Sequence, residues 1–320
     1  MVWHQKNLDC RTKNAIFFPL IYSLGATKIV FLQVMSKFVS PLRYPGGKLK
    51  VVDYVKRLME VNDLQGGTYI EPYAGGASVA LSLLFDKYAS KIKINDIDRS
   101  IYAFWHSVLK ETDVFCQKIQ DSPVDMKTWN SQREVQRHKQ DASLLELGFS
   151  TFFLNRTNRS GILNGGVIGG KEQTGNYLID ARYNKKDLIE RIEHIAGYGD
   201  LIELTSMDAV ELLRRYKRTP SAKTLVYLDP PYYVKGRDLY LNYYNNDNHR
   251  AIAETIKKYK GKWIISYDAV PFIKDLYQDY RQKEYYLSYS AGNPSKGKEI
   301  MVYSEGVVIP DGEIVRLKKK

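Results

Sequence analysis

From residue 41 onward the apolar positions change period in a regular way. Val52, Val55, Leu58 and Met59 fall three or four apart within 49–60, the spacing of one helix face. A short apolar run at 68–73 reads as a strand and ends at the glycine pair Gly75 and Gly76. Residues 77–88 predict a helix. Residues 91–96, with Ile92 and Ile94 alternating, predict a strand, and Asp98 is suited to cap the helix after it. The rhythm lapses over 110–200, where helical stretches such as 143–153 give way to a glycine-rich segment at 161–175. It returns as strand 201–205, helix 208–216, strand 224–228, helix 246–259, strand 262–267 and helix 270–280. Runs at 283–289 and 299–304 predict a closing hairpin around 292–297. Strands alternating with helices argue for an α/β fold with a mainly parallel sheet, and 110–200 reads as an inserted domain.

The N-terminal 35 residues stand apart. Lys6, Arg11 and Lys13 precede an apolar run at 15–35, which superficially resembles a signal peptide. Pro19 and Lys28 interrupt that run and argue against a transmembrane helix. The favoured reading makes 1–35 an extension outside the native fold, with Met35 as the natural start, because the motifs that carry chemistry begin at Pro41.

Composition adds exclusions. At 44% hydrophobic and 26% charged residues, the chain is neither disordered nor fibrous. Its two cysteines, Cys10 and Cys116, exclude a disulfide scaffold. A net charge of +12 favours an anionic partner, most often nucleic acid. That excess is spread along the chain, with a short basic tail at 311–320, so charge by itself does not locate a binding face.

Three candidate sites stand at strand carboxyl ends, where open α/β sheets bind ligands. The first is Glu71-Pro72-Tyr73-Ala74-Gly75-Gly76-Ala77-Ser78, a strand running through a glycine turn into a helix. Glycine there allows close backbone approach to a ligand; a plain tight turn is the alternative. The second is Asp96, whose carboxylate can accept from both hydroxyls of a ribose. Turn and acid together imply a nucleoside-bearing cofactor. The third is Asp229-Pro230-Pro231-Tyr232, after the apolar strand 225–228. The prolines remove amide donors and stiffen the backbone. The Asp229 carboxylate and the Pro230 carbonyl can then accept from one amino group beside the flat face of Tyr232. This suits an aromatic amine such as that of adenine. Its lone pair is conjugated into the ring, and two acceptors must draw it toward tetrahedral geometry before it acts as a nucleophile.

With these motifs in this order the chain resembles the Dam-type, alpha-ordered adenine-specific DNA methyltransferases, over roughly residues 40–305. The resemblance rests on Pro41-Leu42-Arg43-Tyr44-Pro45-Gly46-Gly47-Lys48, the Glu71 glycine motif, Ile94-Asn95-Asp96-Ile97, the stretch from Phe153 through Asn155 to Gly161, and Asp229-Pro230-Pro231-Tyr232. It implies a Rossmann-like, S-adenosylmethionine-dependent methyltransferase sheet, at 36–109 and 201–310. Between its halves would lie an inserted, mainly helical target-recognition domain at 110–200.

By that resemblance the cofactor is S-adenosylmethionine. Tyr44 and Lys48 would lie at its methionine end, Tyr73 and Gly75 beside it, and Asp96 on its ribose, with Asp229 bordering it. Asp208 would accept from the cofactor's adenine amine; capping its own helix is the equal alternative. Asp229, Pro230, Pro231 and Tyr232 would hold the flipped target adenine for direct methyl transfer. Asn155, Arg156, Arg159 and Lys171 would contact double-stranded DNA, although Asn155 and Arg156 could instead only brace the insertion. The same resemblance implies a cytoplasmic enzyme, free of membranes, monomeric or weakly dimeric, acting separately from any cognate restriction endonuclease. The competing readings are an RNA adenine methyltransferase and a non-catalytic DNA-binding protein.

Overall fold

A computed structural model describes residues 19–22, 29–32, 39–43, 48–216, 222–233, 244–289 and 295–315. It divides into two units, Met1–Val39 and Ser40–Lys320. The first contains two antiparallel strands, β1 (Pro19–Tyr22) and β2 (Ile29–Leu32). The apolar run read as resembling a signal peptide therefore contributes a strand pair. Among the described residues no helix is long and apolar enough to cross a membrane.

The second unit begins with a short 3-10 turn, Lys48–Val51, that runs into α1 (Val52–Val61). There follow β3 (Gly67–Glu71), α2 (Ser78–Phe85), β4 (Ala89–Asn95) and α3 (Arg99–Lys110). Asp98 caps α3, accepting from the Ser100 amide at 2.9 Å, as its sequence position predicts. The predicted insertion contains α4 (Thr112–Asp121), α5 (Met126–Arg137), α6 (Leu144–Thr157) and α7 (Lys185–Ala196). The chain then alternates through β5 (Ile202–Thr205), α8 (Ala209–Tyr216), β6 (Thr224–Leu228), α9 (Asn246–Lys257), β7 (Lys262–Asp268) and α10 (Pro271–Leu276). It closes with β8 (Arg281–Tyr289) and β9 (Ser295–Tyr303).

Seven strands form one sheet in the order β5-β4-β3-β6-β7-β9-β8. The first five are parallel; β9 runs antiparallel between β7 and β8. Every residue of β6, Thr-Leu-Val-Tyr-Leu, is buried, as a central parallel strand covered on both faces requires. The winding direction reverses between β3 and β6, which lie side by side. Parallel strands diverge to either side at such a point, so a crevice opens beyond their carboxyl ends.

The insertion shares its core with the helix before it. Phe104 of α3 stacks on Phe152 of α6, with ring centroids 6.2 Å apart, and Phe115 packs against both. Gly148 lets α6 approach α3 closely: a Cβ there would lie 2.4 Å from Ser107 Oγ and 2.6 Å from the Ala103 carbonyl oxygen. A Ser143–Glu146 capping box starts α6. The glycine-rich segment is a succession of turns tied back by a bridge between Asn158 and Val167. Its backbone groups close locally, for example Gln173 N on the Gly170 carbonyl, which leaves no strand to pair.

Candidate active site

The crevice beyond β3 and β6 is a cleft with about 800 Å³ of empty space, its open mouth included. Its floor is acidic. Glu71 ends β3, Asp96 follows β4 and Asp229 follows β6, so three neighbouring strands each deliver a carboxylate to one space. Tyr73, Gly76, Pro231, Tyr244 and Lys48 complete much of the wall.

The glycine turn is held in place by its neighbours. Gly75 N donates to Asp96 Oδ2 at 2.9 Å, and the Gly75 carbonyl accepts from Trp105 Nε1 at 2.9 Å. Gly75 has φ +46°, in the left-handed region that glycine adopts readily. Ala77, also at φ +46°, carries the strain of an L-residue in that region immediately before α2. Buried Asn95 fastens the turn to the next strand. Its amide donates to the Pro72 and Met207 carbonyls, and its carbonyl accepts from the Thr205 hydroxyl and Met207 N.

Burial governs the charges. It pushes the Asp96 carboxyl up to about 7, against two backbone hydrogen bonds, from Asp98 N and Gly75 N, that favour the ionised form. Glu71 is raised well above the ordinary carboxylate range by burial and by Asp229. Its Oε2 is buried without a hydrogen-bond partner among the described residues. Asp229 is raised by burial and held down by Lys48, whose ammonium lies 2.9 Å from Asp229 Oδ1. Burial alone would lower Lys48, but Asp229 and Glu299 outweigh it and raise that ammonium well above its usual value. Among the described residues the cleft is lined by four acidic side chains, Asp98 included, against one ammonium, which suits a cationic ligand that also offers hydroxyl donors.

A polar cluster lies behind Asp229. Ser266 Oγ donates to Asp229 Oδ1 at 2.7 Å and lies 3.0 Å from the Tyr227 hydroxyl. Lys48 Nζ reaches the Tyr232 hydroxyl at 2.6 Å, Ser266 Oγ at 3.2 Å and Glu299 Oε2 at 3.3 Å. Glu299 also accepts from the hydroxyls of Tyr232 and Tyr285, each at 2.6 Å.

Of the predicted site residues, Lys48, Tyr73, Asp96, Asp229 and Pro231 line the cleft; Gly75 precedes the lining residue Gly76, and Pro230 is buried. Tyr44 lies outside the described residues. Lys48 is engaged by Asp229 and Glu299 at the wall of the cleft, where the sequence reading set it beside the cofactor's methionine end. Tyr232 is 6% exposed and points its hydroxyl into the cluster, away from the cleft lining. Asp208 caps α8, accepting from Val210 N and Glu211 N, and is exposed outside the lining, so the capping alternative is the one realised.

Asn155 is no surface reader. It is 2% exposed, and it bonds both the amide and the carbonyl of Arg43 at 2.7 Å and the Gly161 carbonyl at 2.8 Å. Asn158 is equally buried, accepting from Trp129 Nε1 at 2.7 Å. Arg156 turns to the Arg182 and Pro41 carbonyls and braces the insertion against the segment before Lys48. Arg159 and Lys171 are exposed. The sequence reading missed Asn95 as a clamp, and Glu299, Tyr285 and Ser266 as neighbours of Asp229. Asn95 stands inside the Ile94-Asn95-Asp96-Ile97 motif, where attention went to Asp96. The other three sit on strands with no motif around them.

The chain is 23% identical over 250 residues to the Type II methyltransferase M.CviBI of Paramecium bursaria Chlorella virus NC1A, spanning 78% of this chain and 90% of that protein. Solved structures similar to it include a SAM-dependent methyltransferase from Agrobacterium tumefaciens, at 9% identity and TM-score 0.39 over 92% of this chain and 71% of that one. The B. subtilis M1A22 tRNA methyltransferase TrmK is 12% identical, with TM-score 0.34 over 81% and 67%. Residues 44–290 match the family described as D12 class N6 adenine-specific DNA methyltransferase, and the chain belongs to that family.

Proposed function

We propose that this S-adenosylmethionine-dependent enzyme methylates the N6 amine of adenine at particular sequences in double-stranded DNA, after taking the base out of the helix. The observation that carries the reading is the convergence of Glu71, Asp96 and Asp229 on one cleft where the winding of the sheet reverses. S-adenosylmethionine fits the donor set: it is cationic, carries a ribose hydroxyl pair, and would meet the acidic lining and the unpartnered Glu71 oxygen. When bound it supplies a methyl group on a positively charged sulfur, an activated leaving group.

The chain's own residues supply position and field. Asp96 would accept from the ribose hydroxyls, while the Gly75 turn and Tyr73 flank the cofactor. The Asp229 carboxylate and Pro230 carbonyl would accept from the adenine amine and turn its lone pair out of conjugation. Pro231 stiffens that turn. Lys48 favours the ionised, accepting form of Asp229. The face of Tyr232 would stack on the extruded base, with its hydroxyl held by Glu299 and Lys48. Holding the amine in line accounts for much of the rate, because positioning turns an encounter into a near-unimolecular step.

Within the insertion at 110–200, which we read as the target-recognition region, Arg159 and Lys171 are the candidates for DNA contact. Asn155 and Arg156 brace the region. Residues 1–35 are read as an extension dispensable for the catalytic fold. The cofactor's intracellular supply favours a cytoplasmic enzyme, working as a monomer or weak dimer and apart from any cognate endonuclease. The test is transfer of labelled methyl to plasmid DNA from a methylation-free host, with total RNA alongside. N6-methyladenine confined to one sequence context in the DNA is expected. Label in RNA alone, or none in either, overturns the reading.

A further inference from the structure

Glu299 belongs to no motif, yet it is the most connected acid near Asp229. It lies on β9, opposite Tyr285 of β8 and opposite Asp268 of β7. Directly opposed residues on antiparallel strands share a face, so the two strands after the last parallel one project a Glu–Tyr pair back toward the end of β6. The Glu299 side chain is 0% exposed. One of its oxygens accepts from the Tyr232 hydroxyl, and the other from the Tyr285 hydroxyl and the Lys48 ammonium.

Those contacts set a division of labour. Lys48 faces two carboxylates, Asp229 at 2.9 Å and Glu299 at 3.3 Å. Glu299 therefore limits how far the ammonium can follow Asp229, and it fixes Lys48 at the edge of the cleft. It also anchors Tyr232, the last residue of the Asp229-Pro230-Pro231-Tyr232 turn, at the far end of its ring. The turn is tied at a second point just beyond, where Tyr233 N donates to Asp268 Oδ1 at 2.9 Å. A buried carboxylate is costly unless its bonds are filled, and this one is filled by a lysine and two tyrosine hydroxyls gathered from three parts of the chain.

We propose that Glu299 is a positioning residue for methyl transfer, acting through Lys48 and Tyr232 to hold the Asp229 turn in its working geometry. The inference rests on the reading of Asp229 and Tyr232 as the groups that meet the target base.

The test is a double-mutant cycle on the full-length enzyme, read by single-turnover methylation, by cofactor affinity from calorimetry and by thermal midpoint. Glu299→Gln keeps the shape and one acceptor but removes the charge. Its single-turnover rate is expected to fall about 10- to 100-fold, as when groups that orient a reactive centre are lost, with cofactor affinity within about threefold. In a Tyr232→Phe background the same change should cost clearly less, because the bond it acts through is already gone. Tyr285→Phe removes one of the two donors to Glu299 Oε2 and leaves Lys48 and Asp229 in place. It should slow the same step more mildly, and it carries the test if Glu299→Gln does not fold. An unchanged rate in a folded variant, or effects that multiply independently in the cycle, overturns the proposal. Full activity of Asp229→Ala would instead overturn the underlying reading of the site.

Discussion

The Lys48 ammonium lies 2.9 Å from Asp229 Oδ1, joining residues 181 positions apart, and it holds down a carboxyl that burial pushes up. Removing that ammonium lets the Asp229 carboxyl rise further, so less of it is ionised near neutrality. For Lys48→Met the single-turnover rate should fall at pH 7 by at least about tenfold, as expected when a general positioning charge is lost. The acid limb of its pH profile should move to higher pH. A profile with an unmoved acid limb would separate Lys48 from the ionisation of Asp229.

Asp229→Ala removes one of the two acceptors for the target amine. The expected loss in single-turnover rate is about 10²–10³-fold, the scale of deleting one oriented partner of a reacting group. Cofactor binding should remain measurable, since Asp96 and the glycine turn are untouched. Near-normal turnover by a folded variant would remove Asp229 from the reaction.

Asp96 titrates at about 7 because it is buried. Hydroxyl donors bind its ionised form, so cofactor affinity should weaken about tenfold per pH unit below 7 and level off above it, by the linkage of a group that must lose its proton to bind. Stability runs the other way. An acid raised in the folded state is protonated there while the unfolded chain ionises, so the fold loses stability as pH rises from the ordinary carboxylate range toward 7. Asp96→Asn should flatten both dependences and weaken cofactor binding. Calorimetric titration and thermal melts across pH 5–8 measure the two effects together.

Asn155 and Arg159 should part ways on substitution. Asn155→Ala leaves the Arg43 amide and carbonyl unpaired inside the protein and should cost at least about 1–3 kcal/mol of stability. Arg159→Ala and Lys171→Ala, at exposed positions, should leave the thermal midpoint nearly unchanged and weaken DNA binding. A base reader should relax preference at one position by about 1–3 kcal/mol, whereas a phosphate contact should weaken all sites alike. Competition with single-base variants at fixed salt distinguishes them. Unchanged affinity and preference in both variants would move recognition elsewhere.

Much of this protein is written in local pattern. The strands at 224–228 and 262–268 and the cap at Asp98 follow from period and residue type within a few positions. The acids at 71, 96 and 229 also follow, because a parallel strand delivers its last residue to the same end of the sheet each time. Period does not tell which strands pair. Tertiary structure set β3 beside β6, some 150 residues apart in sequence, and so turned three separate acids into one cleft. It also decided which polar side chains face inward. Asn155 and Arg159 share one motif, but α6 packs Asn155 against Arg43 and leaves Arg159 in solvent. Glu299 and Tyr285 meet Lys48 only because β9 returns antiparallel beside β7, a long-range pairing with no signature in the residues around them.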